Sequence, residues 1–380
     1  MSTRLFTLFA VSSLLFISCD SPTGAGLDLA GGRTGEPVSF SVPPTTFEAS
    51  PIDDVTGGAG RILAGTVDDP LVGVTSAIGY IDFQLETSLT TDFTAGPVTS
   101  VSVTLQKDYI YGDTSAAAQF VLTDIADSWL DSGAQSDTLL TSGSEVMQFA
   151  VQPSDTTITL EMPPAWVAAN DTTLRSVFFN TAFHGFQVSS PTGAFAAGFD
   201  IDGSSLQIVS GGDTLQFSAS ESLTNVASTG TVAAPADRIL IQDGSRIGIN
   251  LYIDESLSDT LQRSVLSRAA LQISVDTTGL ASTPPLFIRP TVTTLEFIGT
   301  TDNDINIQIR SVEINEEGKF IFESDLFREA LQTQFANDPV FESFAIRVPG
   351  AINTISPLLI FAPGVPGQQP SVDVTASLFD

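Results

Sequence analysis

Cysteine, histidine and lysine are scarce in this sequence. The chain has one cysteine, one histidine and only two lysines among 14 basic residues. A single cysteine excludes an intrachain disulfide, and one cysteine with one histidine cannot supply a His/Cys zinc site. The same scarcity argues against a Cys–His or Ser–His nucleophilic centre. His184 stands between aromatic residues in the segment FHGF, and we interpret it as a structural or surface residue.

Positive charge is also scarce. The 44 acidic residues exceed the 14 basic ones and give a net charge of −30. A field of this sign repels nucleic acid and anionic lipid headgroups, so we expect no nucleic-acid partner. The sequence contains neither a glycine-rich phosphate loop nor a basic patch. Much of the acid is Asp, a turn residue, so a solvated acidic surface and cation binding are both open readings.

Long apolar runs are missing except at the start of the chain. Arg4 precedes an apolar segment at residues 5–17, and the small Ser18 is followed directly by Cys19. This segment is shorter than the roughly 20 residues of a membrane-spanning helix, and its order of charge, apolar core and small residue predicts a secretory signal. The cysteine resembles the acylated residue of a bacterial lipoprotein signal, with Phe16 where that motif prefers Leu. We therefore predict a lipid anchor at Cys19; an ordinary signal peptide with an incidental cysteine is the alternative.

The remaining chain is too long for one ordinary core, which predicts two domains. A stretch rich in Gly, Pro, Ser and Thr predicts a flexible tether, and a weakly patterned stretch near the middle predicts a linker. The expected organisation is a signal at 1–18, a tether at 19–60, a first unit at 61–217, a linker at 218–237 and a second unit at 238–380.

Short segments of alternating apolar and polar residues dominate both predicted units. Examples are YIDFQL and SVSVTL, and turn sequences such as DGSS and SGGD separate such segments. This pattern predicts an all-β protein with two jelly-roll-like antiparallel β-sandwich units. One short helix is expected at about 324–336, capped by Ser324 and buried through Phe327, Leu331 and Phe335.

Several segments, taken in order, carry a family resemblance. They are GTVDDPLVGVTSAIGYIDFQL, VTSVSVTLQKDYIYGDTS, FFNTAFHGFQV, SVLSRAALQISVD, KFIFESDLFREALQ and SPLLIFAPG. Through these segments, the chain resembles a family of uncharacterised lipoproteins of Bacteroidetes-type bacteria, known only as a domain of unknown function. That family has no agreed catalytic residues, so the resemblance implies none here. The pair SVSVTL and FVLTDIADSWLDSG also looks like secreted jelly-roll modules found on cell-surface and carbohydrate-active proteins.

Three aromatic residues and two acidic ones are candidate ligand sites. Tyr109 and Tyr111 share one strand face by the period of two, and with Trp129 they are candidates for stacking on a sugar, although core packing explains them as well. Asp200 and Asp202 lie in an oxygen-rich turn that could hold a structural calcium, although turn chemistry again explains them. We expect no other cofactor.

Asp-Thr followed by an apolar residue or Thr recurs along the chain. This resembles an O-glycosylation sequon of exported proteins of the same bacterial group; the alternative is that Asp-Thr simply enters strands after turns. The candidate threonines are Thr138, Thr156, Thr172, Thr214, Thr260 and Thr277.

These observations predict a non-enzymatic, lipid-anchored lipoprotein of the outer membrane or cell surface, serving display, adhesion or an envelope complex. Its expected partners are the membrane, through the lipid, and an envelope protein or a glycan. The alternative is a carbohydrate-binding surface protein or a glycoside hydrolase that uses two carboxylates.

Overall fold

The computed structural model describes most of the chain and shows an all-β protein. The described residues are 37–51, 55–85, 87–191, 193–229, 235–242, 247–253, 261, 264–279, 286–303, 305–336, 338–349 and 353–378. Among them, no helix is both long and apolar enough to cross a membrane.

Twenty-one strands and four helices make up the described fold. The first strands are β1 (Pro37–Val42), β2 (Thr46–Pro51), β3 (Arg61–Asp69), β4 (Gly73–Gln84), β5 (Val98–Asp113), β6 (Ala118–Ile125), β7 (Ser142–Val151), β8 (Thr157–Glu161), β9 (Phe186–Ser189), β10 (Phe195–Ser210) and β11 (Asp213–Thr229). The later strands are β12 (Arg238–Gln242), β13 (Ile247–Tyr252), β14 (Ser264–Ser274), β15 (Phe287–Ile288), β16 (Thr294–Thr300), β17 (Asn306–Glu313), β18 (Lys319–Glu323), β19 (Ser343–Arg347), β20 (Pro357–Phe361) and β21 (Ser371–Leu378). The helices are α1 (Thr91–Ala95), α2 (Pro164–Leu174), α3 (Phe179–Ala182) and α4 (Asp325–Phe335).

The first sandwich is one ten-stranded antiparallel sheet that folds over itself. Its order is β15-β5-β10-β11-β4-β9-β6-β7, with β3 between β10 and β4 and with β8 beside β5. Phe120 of β6 faces Phe195 and Phe199 of β10 across the core, with ring centroids 6.3 and 6.2 Å apart. Strands distant in the sheet order therefore cover each other's apolar faces.

The second sandwich consists of two sheets. The four-stranded sheet β1-β21-β14-β18 covers the sheet β17-β16-β19-β13-β12-β20, in which β2 pairs with β13. Helix α4 packs into the same core through Phe327, Leu331 and Phe335. The side chain of Ser324 accepts a hydrogen bond from the backbone N–H of Phe327, so the predicted helix and its cap are confirmed.

Two predicted boundaries need correction. Part of the predicted tether is strand: β1 pairs with β21, and β2 pairs with β13, so both belong to the second sandwich. The predicted linker also begins too early in the chain, because β11 continues to Thr229, well past residue 218. Neither partner choice is local: the strands that pair with β1 and β2 lie about 200 to 340 residues further along the chain.

A β-bulge in β5 turns its side chains toward two different cores. Val103 and Leu105 lie in the main core of the first sandwich. Asp108 has no counterpart on β10, because Lys107 pairs with Phe199 and Tyr109 pairs with Gly198. The extra residue reverses the alternation, so Tyr109 and Tyr111 point to the opposite face.

That opposite face is the contact between the two sandwiches. A small apolar cluster there combines Leu63, Tyr111 and Val226 of the first sandwich with Ile355, and Phe287 packs against it. Strand β15 also extends the sheet of the first sandwich by pairing with Asp113 and Gly112. We call this region the junction.

Buried polar groups complete the junction. Arg289 pairs with Asp69 at 2.7 Å, and their side chains are only 6% and 1% exposed. The hydroxyl of Tyr111 donates to Asp69 at 2.6 Å, and the backbone N–H of Leu71 donates at 2.7 Å. Burial raises the pKa of Asp69, but the hydrogen bonds from Arg289 and Tyr111 outweigh this and hold the pKa below its usual value.

Removing the cation from this pair should destabilise the whole protein. Arg289→Ala leaves Asp69 buried without its partner, so we expect the free energy of unfolding to fall by about 3 kcal/mol in chemical denaturation. The control is Arg268→Ala, which breaks the pair with Glu323, in which both side chains are 45–50% exposed. This control should cost less than about 1 kcal/mol. Equal losses in the two variants would contradict the role assigned to the junction.

Candidate functional site

The predicted stacking residues do not form an open surface. Tyr109 is 8% exposed and Tyr111 is fully buried. The hydroxyl of Tyr109 lies 2.7 Å from the Ser356 hydroxyl and accepts a hydrogen bond from that of Thr354 at 3.1 Å. The two tyrosines do share one face, as predicted, but that face is the junction. Burial therefore removes both from the candidate ligand-binding residues.

Trp129 is half-buried, and its indole N–H is already hydrogen-bonded within the protein. Its indole N–H donates to the backbone oxygen of His184 at 2.9 Å. The ring packs against a small cluster that contains Tyr80, Ile125 and Leu223. Trp129 thus holds the loop between β6 and β7 onto the sheet.

Asp200 and Asp202 lie at the start of a local loop in β10 that is closed by a hydrogen bond within the loop. Residues 201–204 loop out of β10 opposite Leu105, and the carboxylate of Asp200 accepts a hydrogen bond from the backbone N–H of Gly203 at 2.8 Å. Asp202 is exposed. Within the described ranges, no group of three or more His, Cys, Asp or Glu side chains is arranged to hold a metal ion. Structural calcium at this turn stays a prediction.

The remaining predicted residues divide by position. Cys19 and Thr260 lie outside the described residues. Thr138 is half-buried and accepts a hydrogen bond from the backbone N–H of Gln135. The exposed candidates for glycosylation are Thr156, Thr172, Thr214 and Thr277. Thr172 lies in α2, so its Asp-Thr pair does not lead into a strand.

A group of three carboxyls lies where the loop that Trp129 holds meets the paired strands β4 and β11: Asp82 of β4, Glu221 of β11 and Asp131 of the loop. Asp82 pairs with Glu221 across the ladder. A carboxylate oxygen of Glu221 accepts from the backbone N–H of Asp131 at 3.0 Å, and the Asp131 carboxylate accepts from the N–H of Ser222 at 3.1 Å. Asp131 therefore attaches the loop to the sheet, through its backbone N–H and its carboxylate.

Two of these carboxyls, Asp82 and Glu221, have pKa values above the usual range for their residue types. Burial, with a smaller contribution from the charge of Glu221, raises the pKa of Asp82 to about 7, although the backbone N–H of Phe83 donates to it. Burial and the neighbouring Asp131 raise the pKa of Glu221. A carboxyl that is partly protonated near neutral pH can donate or accept a proton, which is the property of an acid–base group.

Sequence reasoning missed this group. In YIDFQL, Asp82 occupies the polar position of an alternating strand, and that position is normally solvated. Its partner across the ladder, Glu221, lies far along the chain, and burial raises the pKa of Asp82. No local signal distinguishes Asp82 from the other acids of this chain.

The first sandwich also carries a groove beside α3. It encloses about 390 Å³ and lies between the segment after β4 and the turn that joins α2 to α3. Leu85 and Leu89 form one wall, and Val177 and Phe178 form the other. Val177 and Phe178 are 71% and 69% exposed, so this is an open apolar rim. These residues are not among the predicted site residues.

The ionisation of Asp82 should make stability depend on pH. Its folded pKa of about 7 lies above the unfolded value of about 3.9, so the wild type loses stability as the pH rises through this interval. We expect Asp82→Asn, which mimics the protonated form, to gain up to about 4 kcal/mol over the wild type at pH 8 and little at pH 4, in denaturation measured across this range. The exposed Asp202→Asn is the control and should change little. If both variants follow the wild type at every pH, Asp82 ionises normally.

Comparison with known proteins adds no relative to this picture. No protein-family model matches the chain, and a search of curated proteins finds no significant match. The resemblance to a lipoprotein family of unknown function therefore stays a prediction, and the function has to be argued from the sequence and the geometry above.

Proposed function

We propose that the protein is a non-enzymatic, lipid-anchored lipoprotein of the outer membrane or cell surface, with a role in display, adhesion or an envelope complex. The observation that carries this proposal is the N-terminal sequence, in which a charged start, an apolar core and a small residue lead to Cys19. Cys19 is the only cysteine of the chain, so no disulfide competes for its thiol.

The charge of the chain supports a covalent anchor rather than a charged membrane patch. With a net charge of −30, the protein is repelled by anionic headgroups, so its membrane affinity has to come from acyl chains. One acyl chain binds a membrane only marginally, and stable anchoring needs more than one chain or a second signal. A multiply acylated cysteine supplies this without basic residues.

The described fold supports a display role. Its buried polar side chains form structural contacts: Arg289 with Asp69, Tyr109 with Ser356, and Asn353 with Thr224 all bridge the two sandwiches. Because these contacts fix the two sandwiches relative to each other, the protein presents its surface loops in fixed positions. Rigid presentation of loops on a β-sandwich is a common basis for recognition.

The cluster of three carboxyls, Asp82, Glu221 and Asp131, favours a second candidate function, a carboxylate-based glycoside hydrolase. A hydrolase of this class needs one protonated and one ionised carboxyl, and Asp82 and Glu221 are neighbours with raised pKa values. Hydrolysis of a glycoside that Glu221→Gln abolishes would favour this candidate over the first. Carbohydrate binding without hydrolysis also remains a candidate, at a site other than the two buried tyrosines.

Loss of the thiol should release the protein from the membrane. In cells, Cys19→Ser should move the protein from the membrane fraction to the soluble fraction, because the acyl chains would have no attachment site. Mass spectrometry of the wild-type N-terminal peptide should show acylated Cys19. Ser21→Ala, two residues further on, is the matched control and should stay in the membrane fraction. A Cys19→Ser protein that stays membrane-bound, together with unlipidated wild-type peptides, would refute the anchor.

A further inference from the structure

The groove beside α3 has a rigid aromatic residue on its rim. The backbone N–H of Phe178 donates to the Ser176 hydroxyl at 3.1 Å. The backbone oxygen of Phe178 accepts from the hydroxyl and N–H of Thr181 and from the N–H of Ala182, at 2.9–3.0 Å. The ring is nevertheless 69% exposed. Because four hydrogen bonds fix the backbone here, the segment that carries the ring does not have to become ordered when a ligand stacks on it.

The residues beneath the rim are also fixed. Phe179 is 2% exposed and packs on Phe183 and Phe217, with ring centroids 5.1 and 4.3 Å away. Asn180 holds the opposite wall, because its side-chain oxygen accepts from the N–H of Leu85 and its side-chain nitrogen donates to the oxygen of Leu85. The groove is therefore formed before any ligand arrives.

The described part of the lining carries no charge and has polar groups available. None of the described residues that line the groove is ionisable, in a chain whose net charge is −30. The exposed hydroxyls of Thr87 and Ser88 make no hydrogen bond to another described residue. The groove thus offers an aromatic face at Phe178, hydroxyl groups at Thr87 and Ser88, and an amide group at Asn180. Its volume of about 390 Å³ lies in the range of small-molecule sites.

We propose that this groove binds an uncharged carbohydrate. The apolar face of a sugar ring would lie on Phe178, and its hydroxyl groups would exchange hydrogen bonds with Thr87, Ser88 and the second amide hydrogen of Asn180. The uncharged side chains of the described lining favour a neutral glycan, whereas the net charge of −30 on the protein disfavours an anionic one. This inference rests on the carbohydrate-binding candidate above and gives it a site different from the predicted tyrosines.

A glycan array followed by titration tests the site. The full mature chain is applied to an array of neutral and anionic glycans, and the best neutral glycan is titrated by calorimetry. We expect neutral glycans to be retained, Phe178→Ala to weaken binding by about tenfold or more, and Phe178→Tyr to keep most of the affinity because the ring remains. Val265→Ala removes a side chain that is 56% exposed in the second sandwich and is the matched control.

The outcomes separate this inference from the anchor. An array that retains no neutral glycan, or binding that Phe178→Ala leaves unchanged, would overturn the proposed site. A blank array combined with a protein that cross-links at Phe178 would overturn it in favour of a protein-docking surface. The membrane fraction of Phe178→Ala should match that of the wild type, because the anchor depends on Cys19 alone.

Discussion

The buried ion pair between Arg289 and Asp69 is the interaction on which the arrangement of the two sandwiches depends. Two charges taken out of water cost several kcal/mol each, and their attraction compensates only when the remaining hydrogen-bonding positions are filled. Tyr111 and the backbone of Leu71 fill positions on Asp69. Because Asp69 belongs to the first sandwich and Arg289 to a segment that approaches from the second, neither charge is satisfied unless both sandwiches are in place.

The bulge at Asp108 makes this junction possible. Without the extra residue, Tyr111 would share the face of Leu105 and point into the core of the first sandwich. Gly198 lies opposite the bulge, where an added Cβ would meet the Cβ of Tyr109 at 2.7 Å. Asn353, which has a φ of +43° and is buried, turns the chain so that residues 354–356 reach Tyr109. Asn tolerates this left-handed conformation better than most residues.

The two candidate sites occupy different places in the first sandwich and have different chemistry. The carboxyls Asp82 and Glu221 are neighbours on the sheet, Glu221 bonds to a loop, and burial raises the pKa of both. The groove at Phe178 is open, and its described lining residues are uncharged, which suits recognition rather than proton transfer. Both sites rest on the same folded sheet, so the rigidity of the core serves either use.

The sequence by itself determined the local features of this protein. Alternating residues predicted the strands of the all-β fold, and Ser324 with its apolar stripe predicted α4, because both patterns depend on neighbours a few residues apart. The tertiary structure decided the rest: the pairing of β1 and β2 with distant strands, the burial of Tyr109 and Tyr111, and the raised pKa of Asp82. These depend on contacts between residues about 50 to 340 positions apart, and a period of two cannot tell which of its two faces another part of the chain will cover.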